Sequence, residues 1–538
     1  MAFSRKWLPL ICLSLAVASM VLLFQAVSAY PQSTVKGVVL DESQAPVGGA
    51  TVRVQATTNK TTTSSDGTFT LDGLTDGLTV TVSAWKQGYY CAKVVGVVPP
   101  ASQITLNLRR YQTDDNPAYI WVPVTGTNSC YSCKPTVTQI WLDNDAHRSS
   151  VTNARFFSLY NGSDISNTQV ISPGYKLDFP STAGNCAACH APAAALDAPF
   201  TTDMNLVSGI DRDFGIHCDF CHKVASVYLN PATGLPYPNA PGVISLDVRR
   251  PFPDSPRYQL FFGTFDDDNV PEEDTYLPLI ARSQWCAACH QFSFWGTPIY
   301  QSFKEWKESP FPAMGVECQS CHMLPDGVTT NVAPGMGGVE RDPLSIHAHT
   351  MPGALSELLL QNTVSMTLQT QPLLNTLAVS VTLYNYGAGH QVPTDHPGRH
   401  MILTVTVTGG SGQPLVQVGG QQVPVWGGAQ AGQPGTAYAK VLRDPISGEY
   451  PVVSYWKQTY IVSDSRIPAL SSDTKVFQFF TPQSGGMLKV TAELRFRRNF
   501  QAEMDARGWD ETDILMEQAQ KLVVLSPRYD LFMPVVWN

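Results

Sequence analysis

The cysteines of this chain are arranged in a way that predicts covalent chemistry. Ten of the twelve form five Cys-x-x-Cys pairs, whereas Cys12 lies near the amino terminus and Cys91 stands alone. Four pairs are followed directly by histidine, and the first is followed by lysine. The motifs are CYSCK at 130–134, CAACH at 186–190, CDFCH at 218–222, CAACH at 286–290 and CQSCH at 318–322. Such pairing is not typical of a disulfide framework.

The sequence Cys-x-x-Cys-His is the attachment signal for c-type haem. Each thiol bonds one former vinyl group, and the adjacent histidine is the proximal iron ligand. Structural zinc also uses Cys-x-x-Cys pairs, but it needs no histidine directly after each pair. The sequence therefore predicts at least four haem c groups, and five if the lysine motif also carries one. The predicted proximal ligands are His190, His222, His290 and His322. The predicted attachment cysteines are Cys130, Cys133, Cys186, Cys189, Cys218, Cys221, Cys286, Cys289, Cys318 and Cys321.

The four histidine motifs repeat one spacing. The motifs that begin at Cys186 and Cys218 are 32 residues apart, and so are those that begin at Cys286 and Cys318. The second pair follows the first by one hundred residues. This predicts a duplicated two-haem unit, because a fixed spacing holds two porphyrins in one mutual geometry.

A six-coordinate haem iron needs a second axial ligand, and imidazole is a good one. Seven histidines lie outside the motifs, all between residues 147 and 400. We predict His147, His349 and His390 as the leading distal ligands; the first follows the lysine motif, the second follows the last motif, and the third lies in the Gly-rich stretch YNYGAGHQVPTD. The further candidates are His217, His347 and His400, and His396 completes the seven. With at most five places to fill, at least two of these histidines have an ordinary role.

Lys134 leaves two interpretations open. In the first, the motif at 130–134 carries a fifth haem whose proximal ligand is the lysine amine. In the second, Cys130 and Cys133 form a disulfide or a free dithiol. Keeping a lysine neutral at pH 7 costs roughly 4–5 kcal/mol against a reference pKa of about 10.4, although a bound cation offsets that cost.

The elements around the motifs fall into three regions. Residues 30–112 alternate Val, Leu and Phe with Thr and Ser between Gly-rich turns, which predicts an antiparallel β-sandwich. Residues 118–360 show little periodicity, so we expect short helices and irregular chain packed around porphyrins. Alternation returns in 361–538, which predicts a second β-sandwich closed by a helix within about 500–522. The predicted fold class is therefore multidomain, with sandwiches flanking a haem-packed centre.

Three motifs in the first region resemble the carboxypeptidase regulatory-like domain. They are G-x-V-x-D at Gly37 to Asp41, P-V-x-G-A at Pro46 to Ala50 and S-D-G-x-F at Ser65 to Phe69. The resemblance covers about 75 residues and implies a spacer or adhesive module without catalytic residues.

A second resemblance covers roughly residues 128–400. The pattern W-x-x-x-x-A-H at Trp141 to His147, with GIHCDFCHK, CAACHQFSFWGTPIYQSFKEW, GVECQSCHM and GAGHQVPTD, is similar to multihaem cytochromes of the c-554/c-552 type. This resemblance implies an exported electron carrier or a terminal reductase module.

The order Lys, His, His, His, His resembles the five-haem cytochrome c nitrite reductases, in which the lysine-ligated iron has an open distal face. The match at the site is short, essentially CYSCKP. The tyrosine that those enzymes place soon after a later motif is missing, because QFSFWG follows CAACH here and the first tyrosine is Tyr300. The resemblance is therefore consistent with a substrate-binding haem, but it does not support nitrite reduction.

The amino-terminal residues 1–29 have the character of a secretory signal peptide, with Arg5 and Lys6 before an apolar run that ends in Val-Ser-Ala. An uncleaved membrane anchor is the alternative. Cleavage changes the net charge from −9 to −11, because two cations and no acids are lost. With no basic run, the chain is not expected to bind nucleic acid. We expect a periplasmic or extracellular location.

These observations predict an exported five-haem cytochrome that transfers electrons to redox proteins or an extracellular acceptor, with an oligomer possible. Two alternatives are a reductase of a small nitrogen or sulfur oxyanion at Lys134 and a structural, filament-forming cytochrome. The sequence leaves open whether the protein is an enzyme and identifies no catalytic residue.

Overall fold

The computed structural model describes residues 32–144, 146–253, 259–267 and 274–528. The predicted signal peptide, residues 1–29, lies outside the described residues. The chain forms two compact units. The first contains residues up to Thr113 together with Pro253–Leu277 and Gly337–Arg341, and the second contains the rest. The amino-terminal module is therefore joined within its unit by two segments from much later in the chain.

The amino-terminal strands form two sheets. The strands are β1 (Gln32–Leu40), β2 (Thr51–Val54), β3 (Lys60–Thr62), β4 (Thr68–Thr75), β5 (Val80–Trp85), β6 (Ala92–Val97) and β7 (Ala101–Asn107). One sheet has the order β4-β1-β7 and the other β3-β2-β5-β6. Val35 and Val39 of the first sheet share one buried cluster with Val52 and Val82 of the second. A single core between two sheets confirms the predicted sandwich, but the sheets are not purely antiparallel, because β1 and β7 pair in parallel.

Short helices and irregular chain dominate the middle region, as predicted. Its helices are α1 (Cys130–Cys133), α2 (Pro135–Asn144), α3 (Ala154–Asn161), α4 (Tyr175–Asp178), α5 (Ala187–His190), α6 (Pro192–Ala195), α7 (Gly209–Phe214), α8 (Cys218–Cys221), α9 (Ala287–His290), α10 (Ser302–Lys307), α11 (Gln319–His322) and α12 (Glu357–Gln361). Its strands are β8 (Val224–Val227), β9 (Leu246–Val248), β10 (Phe261–Gly263), β11 (Asp274–Tyr276), β12 (Phe292–Phe294) and β13 (Thr297–Tyr300). Of these, β10 and β11 belong to the first compact unit.

The carboxy-terminal region contains two further sheets. Its strands are β14 (Val364–Pro372), β15 (Thr376–Asn385), β16 (His400–Thr408), β17 (Gln417–Gly419), β18 (Gly435–Arg443), β19 (Tyr460–Asp464), β20 (Ser472–Phe480), β21 (Gly486–Arg497) and β22 (Ile514–Leu525). The sheet orders are β14-β15-β20-β17 and β19-β18-β16-β21-β22. Val379 and Phe477 of one sheet lie in the same buried cluster as Leu403 and Val490 of the other. The predicted helix is α13 (Gln501–Arg507), and the residues after it return to the sheet as β22.

Within the second unit, the carboxy-terminal sandwich is tied to the haem-motif region by buried polar contacts. Arg507 of α13 is fully buried and donates to the carbonyl oxygens of Ser158 at 2.7 Å and Ser163 at 2.9 Å. Arg466 pairs with Glu305 of α10 at 2.7 Å. Among the described residues, no helix has the length and apolar character needed to cross a membrane.

Candidate haem-attachment site

Each Cys-x-x-Cys pair lies on a short helical turn. This geometry suits attachment, because residues three apart on a helix project from the same face. In α1, Ser129 and Ser132 form a reciprocal capping box with bonds of 3.2 Å and 2.9 Å. In α8, the ring of His217 caps the helix by accepting the backbone N–H of Phe220 at 3.3 Å.

The structure brings thiols of different motifs together. The Cys130 thiol is within hydrogen-bonding reach of Cys218, an interaction that raises the pKa of Cys130. Contact with Cys189 lowers the pKa of Cys289 to about 7. Contact with Cys286 likewise lowers the pKa of Cys318 to about 7. These contacts join motif one to three, two to four and four to five. In the structure no disulfide joins Cys130 and Cys133.

Two pairs of imidazole rings have a separation that fits a shared iron. The ring centroids of His222 and His349 are 6.2 Å apart, and those of His147 and His290 are 6.3 Å apart. An iron held between two imidazole nitrogens at about 2 Å each would place the ring centroids about 6.3 Å apart. The two pairs each combine a motif histidine with a leading distal candidate. His147, although it follows motif one in sequence, lies beside the histidine of motif four.

The remaining motif histidines use one ring nitrogen on the protein. His322 Nδ1 lies 2.9 Å from the carbonyl oxygen of Pro352, and His190 Nδ1 lies 3.4 Å from that of Ser150. Burial lowers the pKa of each to about 4, so the neutral imidazole is favoured. A carbonyl partner at Nδ1 leaves Nε2 to a metal, which is the usual arrangement of ligating histidines.

His390 has the same arrangement, since its Nδ1 lies 2.8 Å from the carbonyl oxygen of Gln391. It occupies the loop between β15 and β16, which packs onto α10. In this contact the Gln391 N–H donates to Glu305 at 3.3 Å, and the Thr394 hydroxyl donates to it at 2.6 Å. After burial, the charge of His390 is the largest cause that lowers the pKa of His322. The loop therefore acts electrostatically on motif five.

The other candidates are held differently. His217 is fully buried, and both its nitrogens are engaged, Nδ1 with Phe220 and Nε2 with Asp211 at 3.2 Å. His400 is also fully buried, with Nδ1 2.8 Å from the Gly398 carbonyl oxygen and its ring stacked on Phe500. The structure does not bring either ring to a motif histidine in the way that it brings His147 and His349.

His347 and His396 lie on surfaces that are only partly covered by protein. His347 Nδ1 lies 3.0 Å from the carbonyl oxygen of Met323, directly after motif five. His396 Nδ1 instead accepts the N–H of Gly398 at 3.1 Å, so its proton is on Nε2. Burial, followed by the charge of Arg399, lowers the pKa of His396 to about 3.

Lys134 follows α1 as its C-cap, and its backbone N–H donates to Cys130 at 2.8 Å. Its charge acts on the Cys130 thiol and opposes the rise in the pKa of that thiol. The buried carboxylate of Asp219, in motif three, also acts on the Cys130 thiol and raises its pKa. This carboxylate accepts hydrogen bonds from the Lys223 ammonium group at 2.5 Å and from the Tyr119 hydroxyl at 2.9 Å. Sequence reasoning missed Asp219, which stood in a variable position of the motif.

A second carboxylate that the sequence did not reveal is Asp395, which lies 3.5 Å from Nδ1 of His290. Its only sequence signal is its place in the stretch GAGHQVPTD beside His390.

Comparison with known proteins supports this architecture at two scales. Residues 34–109 match the family model of the carboxypeptidase regulatory-like domain, as the three motifs indicated. The structure is similar to a penta-heme cytochrome c552 from Thermochromatium tepidum, with a TM-score of 0.51 and 19% identity over 73% of this chain and 97% of that chain. At this identity the likeness establishes a shared fold.

A cohesin–X-dockerin complex from Acetivibrio cellulolyticus matches only 15% of this chain and 59% of the other, with 23% identity and a TM-score of 0.13 that supports no argument. No curated protein sequence matches the chain.

Proposed function

We propose that the protein is a multihaem c-type cytochrome that transfers electrons between redox partners outside the cytoplasm. The observation that carries the proposal is the pairing of motif histidines with distant histidines at 6.2 and 6.3 Å, the separation that a shared iron requires. The fold shared with a penta-heme cytochrome supports it.

The motif residues have separate roles in this proposal. The ten paired cysteines attach five haem c groups, and Lys134 and the four motif histidines are the proximal ligands. His349 completes the site of His222, His147 that of His290, and His390 that of His322. Bound haem supplies a one-electron iron couple.

The arrangement of the protein favours a relay. Contacts between motif thiols join motif one to three, two to four and four to five, which brings the attachment sites close together. Two axial imidazoles leave no position for a substrate on the iron. The sites completed by His147, His349 and His390 therefore suit electron transfer rather than catalysis.

Intact mass of the exported protein tests the cofactor count. We expect five covalently attached haem groups and loss of residues 1–29. Replacing Cys130 and Cys133 together by alanine should reduce the count by one, and replacing Cys91 should leave it unchanged. A wild-type count of four would show that the lysine motif does not carry haem.

A reductase that acts on a small nitrogen or sulfur oxyanion at the Lys134 site is the second candidate. It is favoured because His147, the histidine that follows this motif in sequence, lies against His290 instead. An iron bound by the Lys134 amine would then lack His147 as its second ligand.

Titration of nitrite or cyanide into the wild type and Lys134→His tests this candidate. We expect one high-spin haem that binds the added anion in the wild type and a changed affinity in the variant. Cys91→Ala is the matched control, since it alters a residue outside the motifs. If all haems are low-spin and ignore added anion, the reductase candidate is rejected and the electron carrier is retained.

A further inference from the structure

His290 has a different ring partner from those of the other motif histidines whose Nδ1 contacts are defined. His190 and His322 face main-chain carbonyl oxygens, at 3.4 and 2.9 Å. Nδ1 of His290 instead lies 3.5 Å from a carboxylate oxygen, Oδ2 of Asp395. A carboxylate is the stronger acceptor, because a hydrogen bond to an ionised group is roughly twice as strong as a neutral one.

The Asp395 carboxylate is held firmly in this position. Its Oδ1 accepts the backbone N–H groups of Gln301 at 3.0 Å and Ser302 at 3.1 Å, at the start of α10. Its Oδ2, the atom that faces His290, also accepts the Ser302 hydroxyl at 3.1 Å. Asp395 is 7% exposed, so water competes little for these bonds.

The backbone of Asp395 is strained. Its φ is +62°, in the left-handed region that side chains other than glycine seldom adopt. Residues held in such conformations cost of order 1–3 kcal/mol and cluster at functional sites. The loop between β15 and β16 therefore presents this carboxylate at an energetic cost.

We propose that Asp395 is a positioning residue that lowers the reduction potential of the haem attached at Cys286 and Cys289, relative to the haems whose histidines face carbonyl oxygens. The inference rests on the proposed function. A carboxylate partner makes a ligating imidazole more basic. A more basic ligand stabilises the ferric over the ferrous state, and the negative charge acts in the same direction.

A purely structural role predicts something different. Asp395 could serve only to cap α10 and fasten the loop to it. In that case, removing its charge while keeping its acceptor oxygen would leave the potentials unchanged. Asp395→Asn makes this change, because the amide is isosteric and its oxygen can still accept the two N–H groups.

Redox titration of the full-length, haem-loaded protein followed by optical spectroscopy is the test. We expect Asp395→Asn to raise the midpoint potential of a single haem. If the substitution lowers the preference of the site for ferric over ferrous iron tenfold, the midpoint potential rises by about 59 mV for one electron. Ser302→Ala should move the same haem the opposite way, since it removes a competing donor from Oδ2 and leaves the full charge facing His290.

Asp444→Asn is the matched control. Asp444 is also buried in the sandwich and accepts two backbone N–H groups, at 2.7 and 3.1 Å. Its variant should change no potential. Unchanged potentials in both Asp395→Asn and Ser302→Ala would overturn the proposal. So would shifts of the same sign in the two variants.

Intact mass separates this failure from failure of the proposed function. A protein with five haems and unshifted potentials rejects only the role of Asp395. A protein without haem rejects the function itself. If Asp395→Asn does not fold, the sign of the Ser302→Ala shift still decides the proposal.

Discussion

His147 shows that the neighbour of a motif histidine cannot be read from its place in the sequence. It follows Lys134 closely in sequence, yet its ring lies 6.3 Å from that of His290. Sequence spacing selected His147, His349 and His390 from the seven histidines, but it could not say which motif each one lies beside. Those pairings depend on contacts between residues more than a hundred positions apart, which local patterns do not encode.

The orientation of the two ring pairs leads to a spectroscopic prediction. The planes of His147 and His290 are at 90°, whereas those of His222 and His349 are at 32°. Perpendicular axial imidazoles leave two iron d orbitals nearly equal in energy and give an electron paramagnetic resonance signal with one very large g value. Nearly parallel rings separate those orbitals and give a rhombic signal. We expect the oxidised protein to show both signal types.

Single substitutions assign the two signals. His147→Ala should remove one large-g signal, and His349→Ala should remove one rhombic signal, each with the appearance of high-spin iron. His400→Ala is the control, since the ring of His400 stacks on Phe500 and not on a motif histidine. If the two substitutions remove the opposite signals, the ligand pairs are assigned incorrectly.

At the scale of elements, alternation identified strands well. Leu377 to Leu383, Met401 to Val407 and Leu488 to Phe496 all lie inside observed strands. The helix that was predicted within about 500–522 is α13, at Gln501–Arg507, and β22 begins at Ile514. That β22 pairs with β21 along its length was not predicted, because the pairing depends on tertiary contacts and not on a local pattern.

Arg507, in that helix, leads to a stability prediction. Its guanidinium is fully buried, pairs with Glu503 at 2.5 Å and donates to the carbonyl oxygens of Ser158, Ser163 and Pro173. Arg507→Met should lower the free energy of unfolding by about 3–5 kcal/mol, because it leaves a partly buried carboxylate and several carbonyls without their donor. Denaturant unfolding followed by circular dichroism measures this loss.

An exposed arginine provides the control for that measurement. Arg495 pairs with Glu493 where the two side chains are 34% and 27% exposed. Arg495→Met should change the free energy of unfolding by only about 0–1 kcal/mol, since water screens such pairs. Equal effects of the two substitutions would show that the contacts of Arg507 contribute little.

At the scale of the whole molecule, the observed units differ in extent from the regions that composition suggested. Composition separates a sandwich at 30–112 from the haem-motif region, yet the first compact unit also includes Pro253–Leu277 and Gly337–Arg341. Asp267 in the first of these segments accepts the N–H of Ala56 at 2.7 Å and pairs with Arg341 at 2.9 Å. The membership of these two segments in the first unit leaves no periodic signal in the sequence, because the segments are short and irregular.

The carboxy-terminal sandwich belongs to the same unit as all five motifs, and its loop between β15 and β16 carries His390 and Asp395. Glu305, just after motif four, accepts from Gln391, Thr394 and Arg466 of the sandwich. Haem ligation and the sandwich core should therefore be lost together. We predict that the haem Soret band and the far-ultraviolet circular dichroism signal change at the same denaturant concentration, as cooperative unfolding requires.

Arg466→Met tests whether the contacts of Glu305 with the sandwich cause the haem sites and the sandwich to unfold together. The guanidinium joins Glu305 to the sandwich and is 5% exposed, so its removal leaves a buried carboxylate with one donor fewer. Both transitions should move to lower denaturant by the same amount. A sandwich that unfolds first, with an unchanged Soret band, would show that the haem sites hold their ligands without it and that His390 is not among them.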